Sequence, residues 1–155
     1  MDHKYRILIV DDHALLRAGI RALLTADPSF EVVGVAENGR DAIRTVARLS
    51  PHLVLMDLAM PLMIGIEAIT EIKRRYTDLR VLVMSLHKTE DCILAALKAG
   101  ADGYILKDAT QEEFYVAIRS VLRGKTYLAT NVSANVVAGY LGRARHPSQP
   151  APMIR

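Results

Sequence analysis

The sequence has little of what marks a secreted or membrane-bound protein. It contains one cysteine in 155 residues, Cys92, which excludes an internal disulfide and suits the reducing cytoplasm. The charged start, Met1 to Lys4, runs directly into an apolar segment and lacks the layout of a signal peptide. No apolar run approaches the roughly 18 residues of a membrane helix. We therefore expect a cytoplasmic chain with no membrane segment.

A surplus of basic charge is also missing from most of the chain. Residues 1–142 hold 17 Lys and Arg against 17 Asp and Glu, so their formal charges cancel. The overall surplus of +3 comes from Arg143, Arg145 and Arg155. A basic stripe of the kind that binds nucleic acid is therefore not expected within the globular part.

The chemistry of the sequence centres on the segment from His52 to Pro61. Leu53 to Met56 is a short, unbroken apolar run, typical of a strand buried on both faces of a parallel sheet, and Asp57 follows it. Because open parallel sheets bind and react at the carboxyl ends of their strands, Asp57 stands where chemistry is expected. Taken alone, an Asp after a strand is more often a turn residue or a helix cap.

Four other apolar runs alternate with amphipathic segments, and no internal repeat is found. The predicted strands are 7–10, 31–36, 53–56, 80–84 and 103–106. The segments between them space their apolar residues as helices do, and Thr89 and Thr110 stand where N-caps are expected. The pattern predicts a doubly wound α/β fold with a five-stranded parallel sheet and helices on both faces.

The composition changes near the C-terminal end. Asn131 to Leu141 is weakly helical, and we expect a short helical extension over 128–142. Three of the six prolines lie after residue 142, among Ser, Gln and Ala, which predicts a flexible, basic, Pro-rich linker over 143–155. We therefore divide the chain into a folded domain over 1–127, the extension and the linker.

Polar residues follow four of the predicted strands and meet at one edge of the sheet. They are Asp11 and Asp12 after the first strand, Asp57 after the third, Ser85 after the fourth and Lys107 after the fifth. Three carboxylates at close range raise one another's pKa unless a cation lies among them, and oxygen ligands open to water and phosphate suit Mg²⁺. With that pocket neutralised, one carboxylate can attack a phosphoryl group and become an acyl phosphate. Lys107 and Ser85 can then bind the phosphoryl oxygens.

These segments resemble the receiver domain of bacterial two-component response regulators. The matching segments are Ile9 to Asp12, Met56 to Pro61, Met84 to Ser85 and Ala101 to Lys107. They fall in the family's order and spacing, and the likeness covers about residues 5–125 of the receiver domain assigned to 1–127. It implies a flavodoxin-like sheet with the strand order 2-1-3-4-5.

The resemblance also implies a role for each residue at the edge of the sheet. The implied magnesium ligands are Asp11, Asp12, Asp57 and the backbone carbonyl of Ala59. Asp57 is the implied phosphoacceptor, and Ser85 and Lys107 are expected to contact the phosphoryl group. We expect the edge lysine to be partly solvated, so that its loss would cost little stability. Tyr104 occupies the position of the family's aromatic switch residue, and we expect it to turn inward from a solvent-facing rotamer when Ser85 moves toward the phosphoryl group.

The implied function is that of a phosphorylation-activated signalling receiver, with no enzymatic role beyond self-phosphorylation and self-dephosphorylation. Its expected partners are a sensor histidine kinase and, once phosphorylated, a second copy of itself. Asp12-His13 and the segment from Gly103 to Asp108 are similar to the NarL/FixJ subfamily, whose members carry a helix-turn-helix DNA-binding domain after a linker. The sequence stops in the linker, so we expect that output domain, and with it DNA contact and transcriptional control, to be absent from this chain.

Two departures from the family pattern affect these expectations. Asp108 stands where many receivers have Pro, so no cis peptide bond is expected there. The apolar segment from Leu62 to Ile64 replaces small or polar residues, and it either packs onto the sheet, which we favour, or forms a lip that contacts a partner. Ala59 and His87 flank the approach of a hydrolytic water and are expected to tune the lifetime of the phosphorylated state.

Three other functions fit the sequence less well. A phosphohydrolase of the haloacid dehalogenase kind needs a second Asp two residues after the nucleophile, where Ala59 stands, and an insertion that forms a cap, which is not present. A phosphate-independent interaction module usually lacks the acidic pair or the lysine, and this chain has both. A flavodoxin-like nucleotide-binding protein needs a Gly-rich loop after a strand, and none of the predicted strands ends on one.

Overall fold

A parallel sheet of six strands lies between two layers of helices in the computed structural model, which describes residues 4–58, 65–86 and 89–129. The strands are β1 (Tyr5–Val10), β2 (Phe30–Ala36), β3 (Leu53–Asp57), β4 (Arg80–Ser85), β5 (Gly103–Leu106) and β6 (Tyr127–Leu128). Their order across the sheet is β2-β1-β3-β4-β5-β6, and every neighbouring pair is parallel. The predicted doubly wound parallel sheet and the order of its first five strands are confirmed.

Within the described residues, five helices connect the strands and cover both faces of the sheet. They are α1 (Ala14–Thr25), α2 (Gly39–Leu49), α3 (Gly65–Arg75), α4 (Glu90–Ala99) and α5 (Gln111–Leu122). The apolar side chains of α1 and α5 share one core with one face of the sheet, and those of α2, α3 and α4 share a second core with the other face. Because the helices cover both faces, the parts of the sheet that stay accessible include the ends of its strands.

The central strand β3 is buried on both of its faces. Leu53 and Leu55 pack into the core beneath α1 and α5, whereas Val54 and Met56 pack into the core beneath the other three helices. All four are at most 2% exposed. This alternation follows from the two-residue period of a strand. The burial of each of these side chains contributes about 1.5–3 kcal/mol to the free energy of unfolding. It explains why the run contains no polar residue before Asp57.

The helix starts follow the capping pattern of the sequence. The Thr110 side chain accepts a hydrogen bond from the backbone N–H of Glu113, at 3.1 Å, and opens α5. Thr89 accepts from the backbone N–H of Cys92 in the same way, at 3.4 Å, and opens α4. The helix α4 ends at Ala99, and its C-cap is Gly100, whose φ of 113° lies in the left-handed region that glycine tolerates.

The sheet has one strand more than the sequence predicted. β6 pairs with β5 through Gly103 opposite Tyr127 and Tyr104 opposite Leu128. A Cβ at Gly103 would lie 2.8 Å from Leu82 Cδ1, 2.9 Å from Val121 Cγ2 and 3.1 Å from the Tyr127 carbonyl oxygen, so the absence of a side chain makes room both for the core and for the neighbouring strand. Two residues are too few to show an alternating pattern, which is why β6 was missed. The division at residues 127 and 142 stays a prediction, since 130–155 lie outside the described residues.

The described part of the chain contains no cis peptide bond, in keeping with the expectation for Lys107-Asp108. None of its helices combines the length and the apolar character that crossing a membrane requires.

Candidate functional site

The carboxyl edge of the sheet brings the predicted polar residues together. Asp57 is the last residue of β3 and Ser85 the last residue of β4, while Asp11 follows β1 and Lys107 follows β5. Asp11, Asp57 and Ser85 are buried, with exposed fractions of 3%, 2% and 1%. They reach the edge because the register aligns the ends of β1, β3, β4 and β5 side by side. Because these residues are buried, a charge on one of them interacts more strongly with the others than it would in water.

Lys107 is the cation that links the two buried carboxylates. Its Nζ lies 3.1 Å from Asp57 Oδ1 and 3.5 Å from Asp11 Oδ2. Its backbone N–H donates to the Ser85 carbonyl at 2.9 Å, which joins the ends of β4 and β5. The lysine side chain is only 9% exposed. Lys107 is thus partly exposed as expected, but the two carboxylates draw its ammonium group into the pocket.

The loop between β1 and α1 is held by residues that the sequence analysis did not assign to the site. The Arg17 guanidinium donates from Nη1 to the Asp11 backbone carbonyl at 2.6 Å, and its side chain is only 16% exposed. The His13 backbone N–H donates to Asp11 Oδ1 at 2.8 Å. Both residues lie within six positions of the acidic pair, but only the folded loop turns them back toward it.

Asp12 lies at the mouth of the pocket, where its side chain is partly exposed to solvent. Its side chain is 29% exposed, and Asp12 is not the cap of α1, because the N-cap position belongs to His13. The His13 side chain makes no capping hydrogen bond either. His13 Nδ1 lies 3.0 Å from Asp12 Oδ1 and 3.2 Å from Asp11 Oδ1, so the imidazole contacts both carboxylates.

The donors of this pocket fit a divalent cation. Asp11, Asp12, His13 and Asp57 each offer one ligand atom, and these four atoms all lie within 4.8 Å of one another. Three of the four donors are carboxylate oxygens, which are the ligands that Mg²⁺ prefers. The residues present therefore suit the Mg²⁺ that the resemblance implies. The backbone carbonyl of Ala59 lies outside the described residues, so its part in the shell stays a prediction.

Tyr104 lies inside the core, next to Ser85. The tyrosine is 0% exposed, and burial raises the pKa of its hydroxyl above the ordinary value, while a hydrogen bond with the Ser85 side chain acts in the opposite direction. The expected solvent-facing rotamer is therefore wrong. Burying the ring is favourable by about 1.5–3 kcal/mol, and Ser85 satisfies the hydroxyl, so the inward position needs no phosphoryl group.

Three predicted features lie outside the described residues. They are Ala59, the segment from Leu62 to Ile64 and His87. The two explanations of the apolar segment after Pro61 thus both stay open, as does the expected influence of Ala59 and His87 on the lifetime of a phosphorylated state.

Comparison with known proteins finds the same architecture and sequence pattern elsewhere. The family model described as "Response regulator receiver domain" matches residues 7–119. The transcriptional regulatory protein DegU of Brevibacillus brevis is 37% identical over 139 residues, which are 90% of this chain and 59% of DegU. The nitrate/nitrite response regulator NarL of Escherichia coli K12 is 38% identical over 123 residues, 79% of this chain and 57% of NarL. The chain thus spans somewhat less than two thirds of these two relatives.

Solved structures give the same result for the fold. The crystal structure of a two-component response regulator of the LuxR family from Aurantimonas sp. SI85-9A1 superposes with a TM-score of 0.83 at 31% sequence identity. The likeness covers 89% of this chain and 99% of that one.

Proposed function

The chain belongs to the response regulator receiver domain family, and on that premise we propose that it works as a phosphorylation switch with Asp57 as the phosphoacceptor. The observation that carries this proposal is the position of Asp57. Its buried carboxylate ends the central strand, lies 3.1 Å from Lys107 Nζ and shares a cation-binding cluster with Asp11 and Asp12. A structural turn residue or helix cap would not need this arrangement.

In the proposed reaction the Asp57 carboxylate is the nucleophile. One of its oxygens forms a bond to phosphorus while the bond from phosphorus to the donor breaks, and the donor leaves with the electron pair of that bond. The product is an acyl phosphate on Asp57. A bound Mg²⁺ would supply positive charge against the carboxylates and the phosphoryl oxygens. Asp11 and Asp12, together with Asp57, would hold it.

Lys107 and Ser85 would respond to the new charge. The Lys107 ammonium already contacts the Asp57 carboxylate and can follow the negative charge onto the phosphoryl oxygens. Ser85 ends the neighbouring strand β4 and can donate its hydroxyl to another of them. Since the Lys107 N–H is bonded to the Ser85 carbonyl, a shift at either residue moves the ends of β4 and β5 together.

The proposed partners follow from the family. A sensor histidine kinase would be the phosphoryl donor, and phosphorylation would favour a homodimer. The only enzymatic activities proposed are self-phosphorylation and self-dephosphorylation. Transcriptional control, which the name of the relative DegU gives for that protein, would be exerted through a separate output domain, and DNA binding would belong to that domain. We propose a cytoplasmic location, where response regulators generally act.

The proposal predicts a single, magnesium-dependent phosphorylation. Incubation with acetyl phosphate and Mg²⁺ should add the mass of one phosphoryl group to the intact protein, and EDTA should prevent it, because three carboxylates repel the donor until a cation neutralises them. Intact-mass spectrometry measures the uptake, and a proteolytic digest locates it on the peptide that contains Asp57. Uptake that is equal in EDTA, or that maps to another peptide, would contradict the proposal.

A second prediction concerns the hydrogen bond between Ser85 and Tyr104. When Ser85 turns to the phosphoryl group, the Tyr104 hydroxyl loses a bond that stabilises its ionised form, so the pKa of Tyr104 should rise. Beryllofluoride with Mg²⁺ can stand in for the phosphoryl group. The pKa of Tyr104 is measured by NMR titration of ¹³C-labelled tyrosine, with Tyr104→Phe to assign the signal.

The control for this prediction is Ser85→Ala. Without the hydroxyl, beryllofluoride can still act on Tyr104 through its charge, but the exchange of partners is lost. The rise in the pKa of Tyr104 should therefore be smaller in Ser85→Ala than in the wild type. Equal rises in the two proteins would show that Ser85 does not couple the site to Tyr104.

A further inference from the structure

A groove lies beside β5 and β6, where α5 begins, and its volume is about 460 Å³. Its apolar wall is formed by Leu106 of β5, Val116 of α5, Tyr127 of β6 and Ala129, the residue after β6. Val116 is 46% exposed. Since covering apolar surface is favourable, an occupant that brings apolar side chains would be stabilised in this groove.

Three carboxylates give the rim of the groove a negative charge. Asp108 and Glu112 are exposed, and Glu113 is half-buried. The Tyr127 hydroxyl donates to Glu113 Oε2 at 3.2 Å, which holds that carboxylate between α5 and β6. None of the described residues that line the groove is Lys or Arg, and the ion pairs within 4–58, 65–86 and 89–129 include none of the three carboxylates. The groove therefore favours a cationic occupant.

The part of the chain that follows the groove has the opposite charge. Residues 130–155, called here the basic tail, contain three arginines and no Asp or Glu. Two of the arginines, Arg143 and Arg145, come soon after an apolar pattern in which Val132, Val136 and Tyr140 recur at every fourth position. Apolar residues followed by arginines match an apolar wall with an acidic rim.

The basic tail also begins at the groove. Ala129 lines the groove, and its backbone N–H donates to the Tyr104 carbonyl at 3.3 Å, so the tail leaves the sheet from a fixed point. Arg143 stands 14 residues further along the chain. A coil of that length spans roughly 20 Å on average, so Arg143 can return to the rim. A short tether of this kind gives an effective concentration on the order of millimolar, at which a weak contact is populated.

We propose that the groove between α5 and β6 binds the chain's own basic tail, with apolar tail residues against Val116 and Tyr127 and the arginines at the acidic rim. Nucleic acid fits this groove poorly, because its phosphates meet carboxylates there. Two copies that faced each other through their grooves would likewise bring like charges together. The contact goes beyond the proposed function and needs no phosphoryl group.

The contact can be measured by NMR with a nitroxide label on the basic tail. The full chain carries Cys92→Ser, which removes its one cysteine, and Ser148→Cys, which takes the label. The amide signals of Glu113 and Val116 should lose most of their intensity compared with the sample in which the nitroxide is reduced. The signal of Arg48, on α2 in the other helix layer, should keep its intensity.

Charge reversal separates binding from the mere nearness of a tethered label. Asp108→Lys with Glu112→Lys should restore most of the signal of Val116, and so should Arg143→Glu with Arg145→Glu. Combining the two pairs should bring the loss of signal back, because the charges are again opposite. The matched control reverses two exposed carboxylates beside β2, Glu31→Lys with Glu37→Lys, and should leave the loss unchanged. A thermal melt of each variant checks that it is folded.

Three results would overturn the proposal. If reversal at the rim lowers the melting temperature but not the loss of signal, Glu112 only stabilises the start of α5. If folded variants with both pairs reversed show no loss of signal, charge does not bring the basic tail to the groove. If ¹⁵N-labelled chains without nitroxide lose the signal of Val116 when mixed with equal amounts of unlabelled, nitroxide-bearing chains, the occupant is the tail of a second copy. With the chain's own tail in the groove, that mixture should show no loss.

Discussion

Replacing Asp57 with asparagine is expected to abolish phosphorylation by acetyl phosphate and Mg²⁺. The amide has nearly the same shape as the carboxylate but lacks the anionic oxygen that must attack phosphorus. Its carbonyl oxygen can still accept a hydrogen bond from Lys107, which lies 3.1 Å from Asp57 Oδ1, so the fold should be kept. Intact-mass spectrometry should show full uptake in the wild type and none in the variant.

The matched control for this loss is Asp78→Asn. Asp78 is an exposed residue in the loop between α3 and β4, away from the carboxyl edge of the sheet, and its variant should take up one phosphoryl group as the wild type does. A thermal melt of both variants checks that they are folded. A phosphoryl group that still appears on Asp57→Asn under the same conditions would remove Asp57 from the role of phosphoacceptor.

The second large effect is expected from Lys107→Ala, which should separate phosphorylation from switching and make stability depend on a cation. The ammonium group contacts both buried carboxylates, at 3.1 and 3.5 Å. Removing one partner of a buried ion pair typically costs about 3–5 kcal/mol, because the remaining charge is left uncompensated. This is more than the small cost expected for an edge lysine from the sequence. Denaturant unfolding in EDTA measures the loss.

Added Mg²⁺ should restore much of the stability of Lys107→Ala, since a cation among Asp11, Asp12 and Asp57 can replace the ammonium charge. The variant should then accept a phosphoryl group, but the rise in the pKa of Tyr104 on adding beryllofluoride should be smaller than in the wild type. The control is Lys125→Ala, which removes an exposed lysine after α5. If Lys107→Ala shows the wild-type response at Tyr104, Lys107 does not transmit the signal.

The features that depend on regular patterns could be predicted from the sequence. The apolar run from Leu53 to Met56 predicted a doubly buried strand, and its last neighbour, Asp57, was placed at the correct edge of the sheet. The alternation of strands and helices fixed the sheet as parallel, and from there strand ends could be aligned without coordinates. Thr110 and Thr89 were recognised as caps because their signal is local.

The features that were missed or wrong depend on contacts between distant or irregular segments. β6 is too short to have a pattern of its own, and it pairs with β5 beside Gly103. The inward contacts of His13 and Arg17 depend on the fold of the β1–α1 loop, which has no periodic signal. The rotamer of Tyr104 is decided by the core around it and by Ser85, neither of which is visible from a strand's residue types.

The buried position of Tyr104 has a consequence for how strongly this protein can respond. A ring that is already inside does not have to cross from solvent to core, so at Tyr104 the proposed phosphorylation would change only the hydrogen-bond partner of Ser85. Exchanging one hydrogen bond for another is worth about 1 kcal/mol, and a difference of that size alters the ratio of two conformations only about fivefold. A full transition from 1% to 99% occupancy needs about 5.5 kcal/mol. If the proposed switch holds, the Ser85–Tyr104 exchange alone would shift a conformational equilibrium only about fivefold, and a full transition would require added free energy, such as that of association between two copies.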